Sequence, residues 1–397
     1  LTHYLYPSVT ILKANPMQLQ WHSISKQEFI KDYWQKQPVV LKQALPNFVD
    51  PIEPEQLAGL AMEEFVDSRI VKCSADKWQL EQGPFEDFSQ LGEQDWSLLV
   101  QGVDNYSESV QELLSIIDFI PKWRIDDVMV SFSMPGGSVG PHLDQYDVFI
   151  VQGHGARRWQ AGAVDKALIQ QETCANLLQL EAFDAVIDEV LEPGDILYIP
   201  PFSPHCGNTL EPALNYSIGF RAPSGQELLS AFADYAIDNE LGMTRFEDEG
   251  LDTKDAHFSP SARETQRLKQ QLKALVDEPG VFERFLNQKL TLATRELDLV
   301  APVTRATTDN IEQLMEAYGE VKKVLGLKST MLQVEGKTYF MCAGEEFRLE
   351  EIQIDFASQL NSRSALTKNN TKSSLKLLAN RQLLATLINQ GHWYFDE

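Results

Sequence analysis

Histidine is scarce in this chain, with seven among 397 residues. Two of the seven stand where a metal could be held. His142-Leu143-Asp144 reads as the start of a strand. Residues i and i+2 of a strand project from one face, so the imidazole of His142 and the carboxylate of Asp144 converge. A lone HxD pair is most often a hydrogen-bonded pair of no chemical consequence. Here a turn rich in glycine and proline, PGGSVGP, precedes it, and His205 follows 63 residues later in IPPFSPHCG. Two histidines and one carboxylate on one face, with the other coordination positions open, form the donor set of non-haem Fe(II) oxygenases. The open positions admit a cosubstrate and dioxygen. Cys206 beside His205 points the other way in an extended segment and reads as packing. His154, in the turn QGHGA, reads as solvent-exposed.

The elements that must position these residues lie between 121 and 223. WRIDDVMVSFSM alternates polar and apolar side chains, the mark of a half-buried strand. Asp127, Met129, Ser131 and Ser133 share one face, and Val128, Val130 and Phe132 the other. HLDQYDVFIVQG, RRWQAGAV and AVIDEVLEPGDILYIPPFSPHCGNTLEPALNYSIGFRAP continue as short strands joined by Gly- and Pro-rich turns. That pattern predicts a β-sandwich or barrel rather than a βαβ array. EPGDILYIPP is a turn and strand typical of double-stranded β-helix barrels.

Upstream, WHSISKQEFIKDYWQKQPVVLKQAL reads as a helix capped by Ser23 or Ser25 and followed by a short strand. EPEQLAGLAMEE and DNYSESVQELLSIIDFI read as helices, the second ended by Pro121. RIVKCSA and KWQLEQG read as strands. After Pro223 the period becomes helical: GQELLSAFADYAIDNEL, a polar linker RFEDEGLDTKDAHF, a helix opened by Ser259-Pro260, and VFERFLNQKLTLATRELDL. From about 308 a helix, four strands and two further helices suggest a winged-helix-like module.

The segments PGGSVGPHLDQYDVFIVQG, LEPGDILYIPP and NYSIGFRAP, together with His205, resemble the JmjC-type 2-oxoglutarate-dependent oxygenases. Within them they look like the bacterial ribosomal oxygenases that hydroxylate an arginine of a large-subunit ribosomal protein. The resemblance extends over nearly the whole chain. It implies an α+β chain: a double-stranded β-helix (cupin/JmjC) barrel at 1–223, a helical dimerisation region at 224–305 and a winged-helix-like domain at 306–397. It implies Fe(II) held by His142, Asp144 and His205, 2-oxoglutarate as cosubstrate, and O2. Arg157, 15 residues after His142, matches the basic residue that grips the far carboxylate of 2-oxoglutarate, and an arginine can do so bidentately. Strand alternation sends only one of Arg157 and Arg158 inward. Asn215 matches the asparagine placed near the metal-bound end of the cosubstrate, and Ser133 is a further hydroxyl of the same pocket. Asp127, Tyr146 and Ser217 are assigned to the substrate arginine. Tyr146 follows Asp144 by two residues, on the same face, and Asp127 could pair with a guanidinium.

Two alternatives lie outside the family. One is a cupin-type metal enzyme that does not use 2-oxoglutarate; the other is a non-enzymatic sensor barrel fused to a DNA-binding winged helix. Within the family, histidyl hydroxylation and lysyl demethylation differ from arginine hydroxylation only in the substrate pocket.

Charge narrows the partners. Lys and Arg number 34 against 58 Asp and Glu, a net charge of −24. A nucleic-acid binder neutralises phosphates with basic side chains, so nucleic acid is disfavoured as the main ligand. An anionic membrane surface is disfavoured for the same reason. Between Ala167 and Phe220 there is no Lys or Arg, and eight acidic residues: Glu172, Glu181, Asp184, Asp188, Glu189, Glu192, Asp195 and Glu211. Such a stretch suits a basic polypeptide, in keeping with a ribosomal protein substrate. Residues 361–395 carry Arg363, Lys368, Lys372, Lys376 and Arg381 without an acidic residue, which reads as a solvated face before it reads as a nucleic-acid contact. No apolar run reaches the roughly 18–20 residues of a membrane span. LTHYLYPSVTILKANP has no basic segment leading into an apolar one, which predicts no signal peptide. Four cysteines without a CxxC pair predict no disulfide scaffold, and a reducing cytoplasm is the default expectation.

Overall fold

The computed structural model describes residues 17–74, 77–174, 176–247 and 258–396. The opening segment, part of the 245–258 linker and the tip between RIVKCSA and KWQLEQG lie outside the described residues. The chain divides into two compact units, Leu1–Ala222 and Pro223–Glu397.

Thirteen strands build the first unit among its described residues: β1 (Val39–Leu41), β2 (Ser68–Ser74), β3 (Lys77–Gln82), β4 (Trp96–Val100), β5 (Ile125–Ser133), β6 (Val148–Gln152), β7 (Arg157–Gly162), β8 (Gln171–Cys174), β9 (Leu177–Gln179), β10 (Ala185–Leu191), β11 (Ile196–Ile199), β12 (His205–Thr209) and β13 (Ala213–Phe220). Eight of them form one sheet in the order β1-β11-β6-β13-β5-β4-β2-β3. A smaller sheet runs β10-β7-β12, and β8 pairs with β9. All pairings are antiparallel, as the short turns require.

The middle strands of the large sheet are buried on both faces, and their alternation sorts side chains between them. Phe149 and Val151 of β6 and Leu214, Tyr216, Ile218 and Phe220 of β13 enter the main core with Val128 and Val130 of β5. There they meet Phe29, whose ring packs edge-on against Tyr198. The intervening residues take the other face. Val148 and Ile150 pack with Trp159, Leu191, Leu197 and Ile199. Gln152, Ser131, Ser133 and Asn215 are buried polar residues of the same alternation. One face thus consists of apolar bulk and the other carries the polar groups a reaction needs.

Several predicted elements shift. Ser25 is the first cap, with a full capping box to Glu28. The segment after it is a single turn of α-helix followed by a π-turn, Phe29–Tyr33, rather than one long helix. DNYSESVQELLSIIDFI folds as short helical pieces, Val103–Asn105, Glu108–Gln111 and Glu112–Ile116. Strand β6 opens only at Val148, so His142-Leu143-Asp144 precedes it and is no strand start. His142 instead forms an isolated bridge with His205.

In the second unit the helix Gly225–Asp238 is capped by Ser224. The next, Ala262–Val276, is capped by Ser261 and not by Ser259, because Glu264 completes a capping box with Ser261. Val281–Thr291 follows and ends before the predicted TLATRELDL tail. Phe232, Val281 and Phe285 form a small core among these helices. The winged-helix part has helices Ile311–Tyr318, Ile354–Ser362 and Leu378–Asn389. Its strands are β14 (Glu320–Lys323), β15 (Ser329–Val334), β16 (Lys337–Cys342), β17 (Glu345–Leu349), β18 (Ala365–Thr367) and β19 (Trp393–Tyr394). β15, β16 and β17 form the wing. Two of the five basic residues of 361–395 are taken up internally, Lys368 by Glu316 and Arg381 by Glu312.

Candidate active site

His142, Asp144 and His205 converge. One donor atom from each lies within 4.8 Å of the others, the only such His/Cys/Asp/Glu group among the described residues. Nε2 of His205 is 3.7 Å from Oδ2 of Asp144, and the two imidazole centroids are 4.2 Å apart. The backbone arranges this convergence. The N–H of His142 donates to the carbonyl of His205 at 3.0 Å, and the N–H of His205 to the carbonyl of His142 at 2.8 Å. Opposed residues of such a pair carry their side chains on one face. Asp144 joins them through a bend held at both ends. Gln170 clamps Leu143, its oxygen accepting the Leu143 N–H and its amide donating to the Leu143 carbonyl, both at 3.1 Å. The Phe202 N–H donates to the Asp144 carbonyl at 2.7 Å.

Each imidazole is also oriented. Nδ1 of His142 lies 3.0 Å from the Gly140 carbonyl, and Nδ1 of His205 lies 3.0 Å from the Ser203 carbonyl. A carbonyl only accepts, so Nδ1 carries the hydrogen and Nε2 keeps its lone pair for a metal. Burial, with His142 alongside, pushes His205 down to about 4 although Asp144 pulls the other way. The buried imidazole is therefore neutral, the form that ligates. Two imidazoles and a carboxylate fit a divalent iron and leave open positions.

Arg157 supplies the second observation. It is 4 % exposed, and burial pushes its guanidinium down to about 10. No carboxylate pairs with it among the described residues. Nη1 donates to Oδ1 of Asn215 at 3.0 Å and Nη2 to the Gly207 carbonyl at 3.1 Å, while Nε has no partner. Trp159 lies under the guanidinium at 5.0 Å. A buried cation with spare donors and no counterion is costly unless an anion completes it. Arg158, the next residue, is exposed and forms a two-pronged pair with Asp188 at 2.6 Å.

The other expected residues are placed as follows. Asn215 is fully buried against Arg157. Ser133 is also fully buried, and its hydroxyl donates to Ser97 at 2.8 Å. Asp127 is 4 % exposed, with Oδ2 accepting from Gln101 at 3.0 Å. Tyr146 is half-exposed. The charge of Asp144 raises its phenol above the usual range, helped by burial and by Asp127. Ser217 lies partly buried between Met129 and Ile150 on the neighbouring strands. His154 is exposed, and Cys206 is partly buried with its thiol 3.7 Å from the Ser138 hydroxyl. Sequence reasoning missed Gln152, Trp159 and Gln170. Of these only Gln152 left a signal, as a polar residue closing the apolar run VFIV.

A β-sandwich that presents two histidines, one aspartate and a buried unpaired arginine defines an Fe(II)- and 2-oxoglutarate-dependent oxygenase. Comparisons with known proteins agree. Residues 112–228 match the JmjC domain family, and residues 268–394 match the ROXA-like winged helix. The chain is 42 % identical over 371 residues to the Escherichia coli ribosomal protein uL16 3-hydroxylase, covering 93 % of this chain and 97 % of that one. It is 34 % identical over 306 residues to a probable ribosomal oxygenase of Haemophilus influenzae, covering 75 % and 76 %. The structure of the E. coli ribosomal oxygenase YcfD in complex with cobalt and 2-oxoglutarate superposes with a TM-score of 0.85 at 40 % identity, over 96 % of this chain and all of that one. The chain belongs to the JmjC-type 2-oxoglutarate/Fe(II) ribosomal oxygenases.

Proposed function

We propose that this enzyme hydroxylates an arginine side chain, at the β-carbon, of a large-subunit ribosomal protein. His142, Asp144 and His205 would hold Fe(II). The metal, with 2-oxoglutarate and O2, supplies the oxidation: one oxygen atom enters the substrate C–H bond and the other leaves in succinate as CO2 is released. Arg157 grips the distal carboxylate of the cosubstrate, and Asn215 and Ser133 line its pocket. Asp127, Tyr146 and Ser217 receive the substrate arginine. The observation that carries the reading is the unpaired Arg157 guanidinium in the same barrel as the three converged ligands. For the substrate, support comes from the charge of Asp127, which acts at Tyr146 and suits a guanidinium.

The charge of the unit agrees. Residues 1–222 hold 14 Lys and Arg against 31 Asp and Glu, while residues 223–397 hold 20 against 27. Of the eight acidic residues of the 167–220 stretch, all but Asp195 are exposed. Asp195 is buried and paired with Lys42. An acidic surface steers a basic protein toward it. The substrate class places the enzyme in the cytoplasm. Among the described residues, no helix is long and apolar enough to cross a membrane.

We assign residues 1–223 to catalysis, 224–305 to dimerisation and 306–397 to the winged-helix-like domain. Helix Ala262–Val276 buries none of its residues within the protomer, and Leu268, Leu272 and Val276 form an exposed stripe at i, i+4 and i+8. Such a stripe suits a second copy of the chain.

Mass spectrometry of ribosomal proteins from cells with and without the enzyme tests the reading. One arginine should carry an extra oxygen atom only when the enzyme is present. An oxygen found on histidine instead, or loss of a lysine methyl group, would move the enzyme to another branch of the family.

A further inference from the structure

We propose that Gln152 is a positioning residue that sets the polarity of the Arg157 anchor through Asn215. The inference rests on the reading of Arg157 as the grip for the distal carboxylate of 2-oxoglutarate.

Gln152 ends β6 and is fully buried. Its Nε2 sits among four backbone carbonyls: Gly155 at 3.2 Å, Leu214 at 3.3 Å, Gly153 at 3.4 Å and His154 at 3.5 Å. An amide oxygen in that ring of oxygens would be repelled, so only the NH2 end can occupy it. Oε1 is thereby turned to the opposite side, where it accepts from Nδ2 of Asn215 at 2.7 Å. Asn215 and Gln152 are register partners across β13 and β6, which fixes the spacing. With Nδ2 committed to Gln152, Asn215 must present Oδ1 to Arg157, and it does so at 3.0 Å. A reversed Asn215 would bring its NH2 against the guanidinium, donor against donor.

The chain of orientation therefore starts at backbone and ends at the cation. Its starting point is rigid. The turn 153–155 is tied to β13 by the Gly153 N–H donating to the Leu214 carbonyl and the Leu214 N–H donating to the His154 carbonyl, both at 2.9 Å. Gly155 sits at φ +75°, where a Cβ would stand 2.2 Å from the Pro212 carbonyl oxygen. The relay also crosses between sheets, since Gln152 and Asn215 belong to the large sheet and Arg157 to the small one. Asn215 Oδ1 and the Gly207 carbonyl are the two acceptors that hold the guanidinium. Losing the first leaves Arg157 free to turn, and its remaining donors no longer converge on a carboxylate.

The test measures binding, not turnover. Calorimetry on the full chain loaded with Mn(II), without oxygen, would compare 2-oxoglutarate with 2-oxobutanoate, which keeps the metal-chelating end and lacks the distal carboxylate. Gln152→Met should weaken 2-oxoglutarate by about tenfold, the worth of one buried hydrogen bond, and leave 2-oxobutanoate and Mn(II) affinities unchanged. Combined with Asn215→Ala, the losses should be less than additive. Gln152→Asn keeps an amide in the polar ring but shortens the arm, so it must show the same selective loss if Gln152→Met does not fold. Equal weakening of both ligands, or none of either, overturns the relay. If the unmodified chain binds no 2-oxoglutarate, the cosubstrate reading itself fails, a different result from failure of the relay alone.

Discussion

His142 and His205, 63 residues apart, exchange both of their backbone hydrogen bonds and form a bridge of a single residue pair. The pairing holds the two imidazoles at one place although His205 opens β12 and His142 belongs to no strand. The bridge is made by backbone, so the ring of His142 can be removed without breaking it. His142→Ala should fold and lose metal affinity by more than the ~10–100-fold that removal of an outer partner costs. An Mn(II) titration followed by electron paramagnetic resonance measures this, and 2-oxoglutarate decarboxylation should fall to background. Wild-type affinity in that variant would remove His142 from the metal site.

Adjacent arginines should behave in opposite ways. Arg157 is buried without a counterion, so Arg157→Met should leave the unliganded protein as stable as before, or more so, in urea denaturation. The same change should weaken 2-oxoglutarate on the order of 100-fold, since a charge-assisted pair with a carboxylate is lost. Arg158 faces water and pairs with Asp188 on the surface. Arg158→Gln should keep cosubstrate affinity within about twofold.

Gly207 has no room for a side chain. A Cβ there would lie 2.9 Å from two atoms of the Trp159 ring, and the Gly207 carbonyl also accepts from Arg157. Gly207→Ala must push the indole aside. The expected cost is about 1–3 kcal/mol by chemical denaturation. The cosubstrate affinity should fall with it, because the Trp159 ring underlies the guanidinium.

Leu272 is 70 % exposed in the middle of the unburied helix Ala262–Val276. If that stripe is the dimer contact, a charge there is desolvated against an apolar partner. Leu272→Glu should halve the mass seen by light scattering at micromolar concentration. A monomeric wild-type chain would refute the assignment.

A basic peptide should associate faster at low salt. The screening length falls from roughly 30 Å at 0.01 M to about 10 Å at 0.1 M, so long-range attraction by the exposed acidic residues is lost across that range. Stopped-flow association rates that ignore salt would show that the charge of residues 1–222 does not steer the substrate.

Residue types and local spacing sufficed for much of this. The short strands between Gly- and Pro-rich turns, the HxD pair and the second histidine could be read directly, because strand alternation and turn chemistry act over a few residues. The alternation also separated Arg157 from Arg158 as one inward and one outward side chain, since consecutive residues of β7 face opposite ways. What local pattern could not supply is long-range pairing. HLD was expected to begin a strand, yet its geometry comes from one backbone bridge to His205 and from the Gln170 clamp, both made by distant residues. The sequence marks Gln152 only as a polar residue closing an apolar run, because its role lies in four carbonyls gathered from a turn and a neighbouring strand. The sequence by itself determined which groups could ligate and that short antiparallel strands surround them. Only the tertiary structure decided how each amide and imidazole is turned, because hydrogen-bond polarity is set by every neighbour at once.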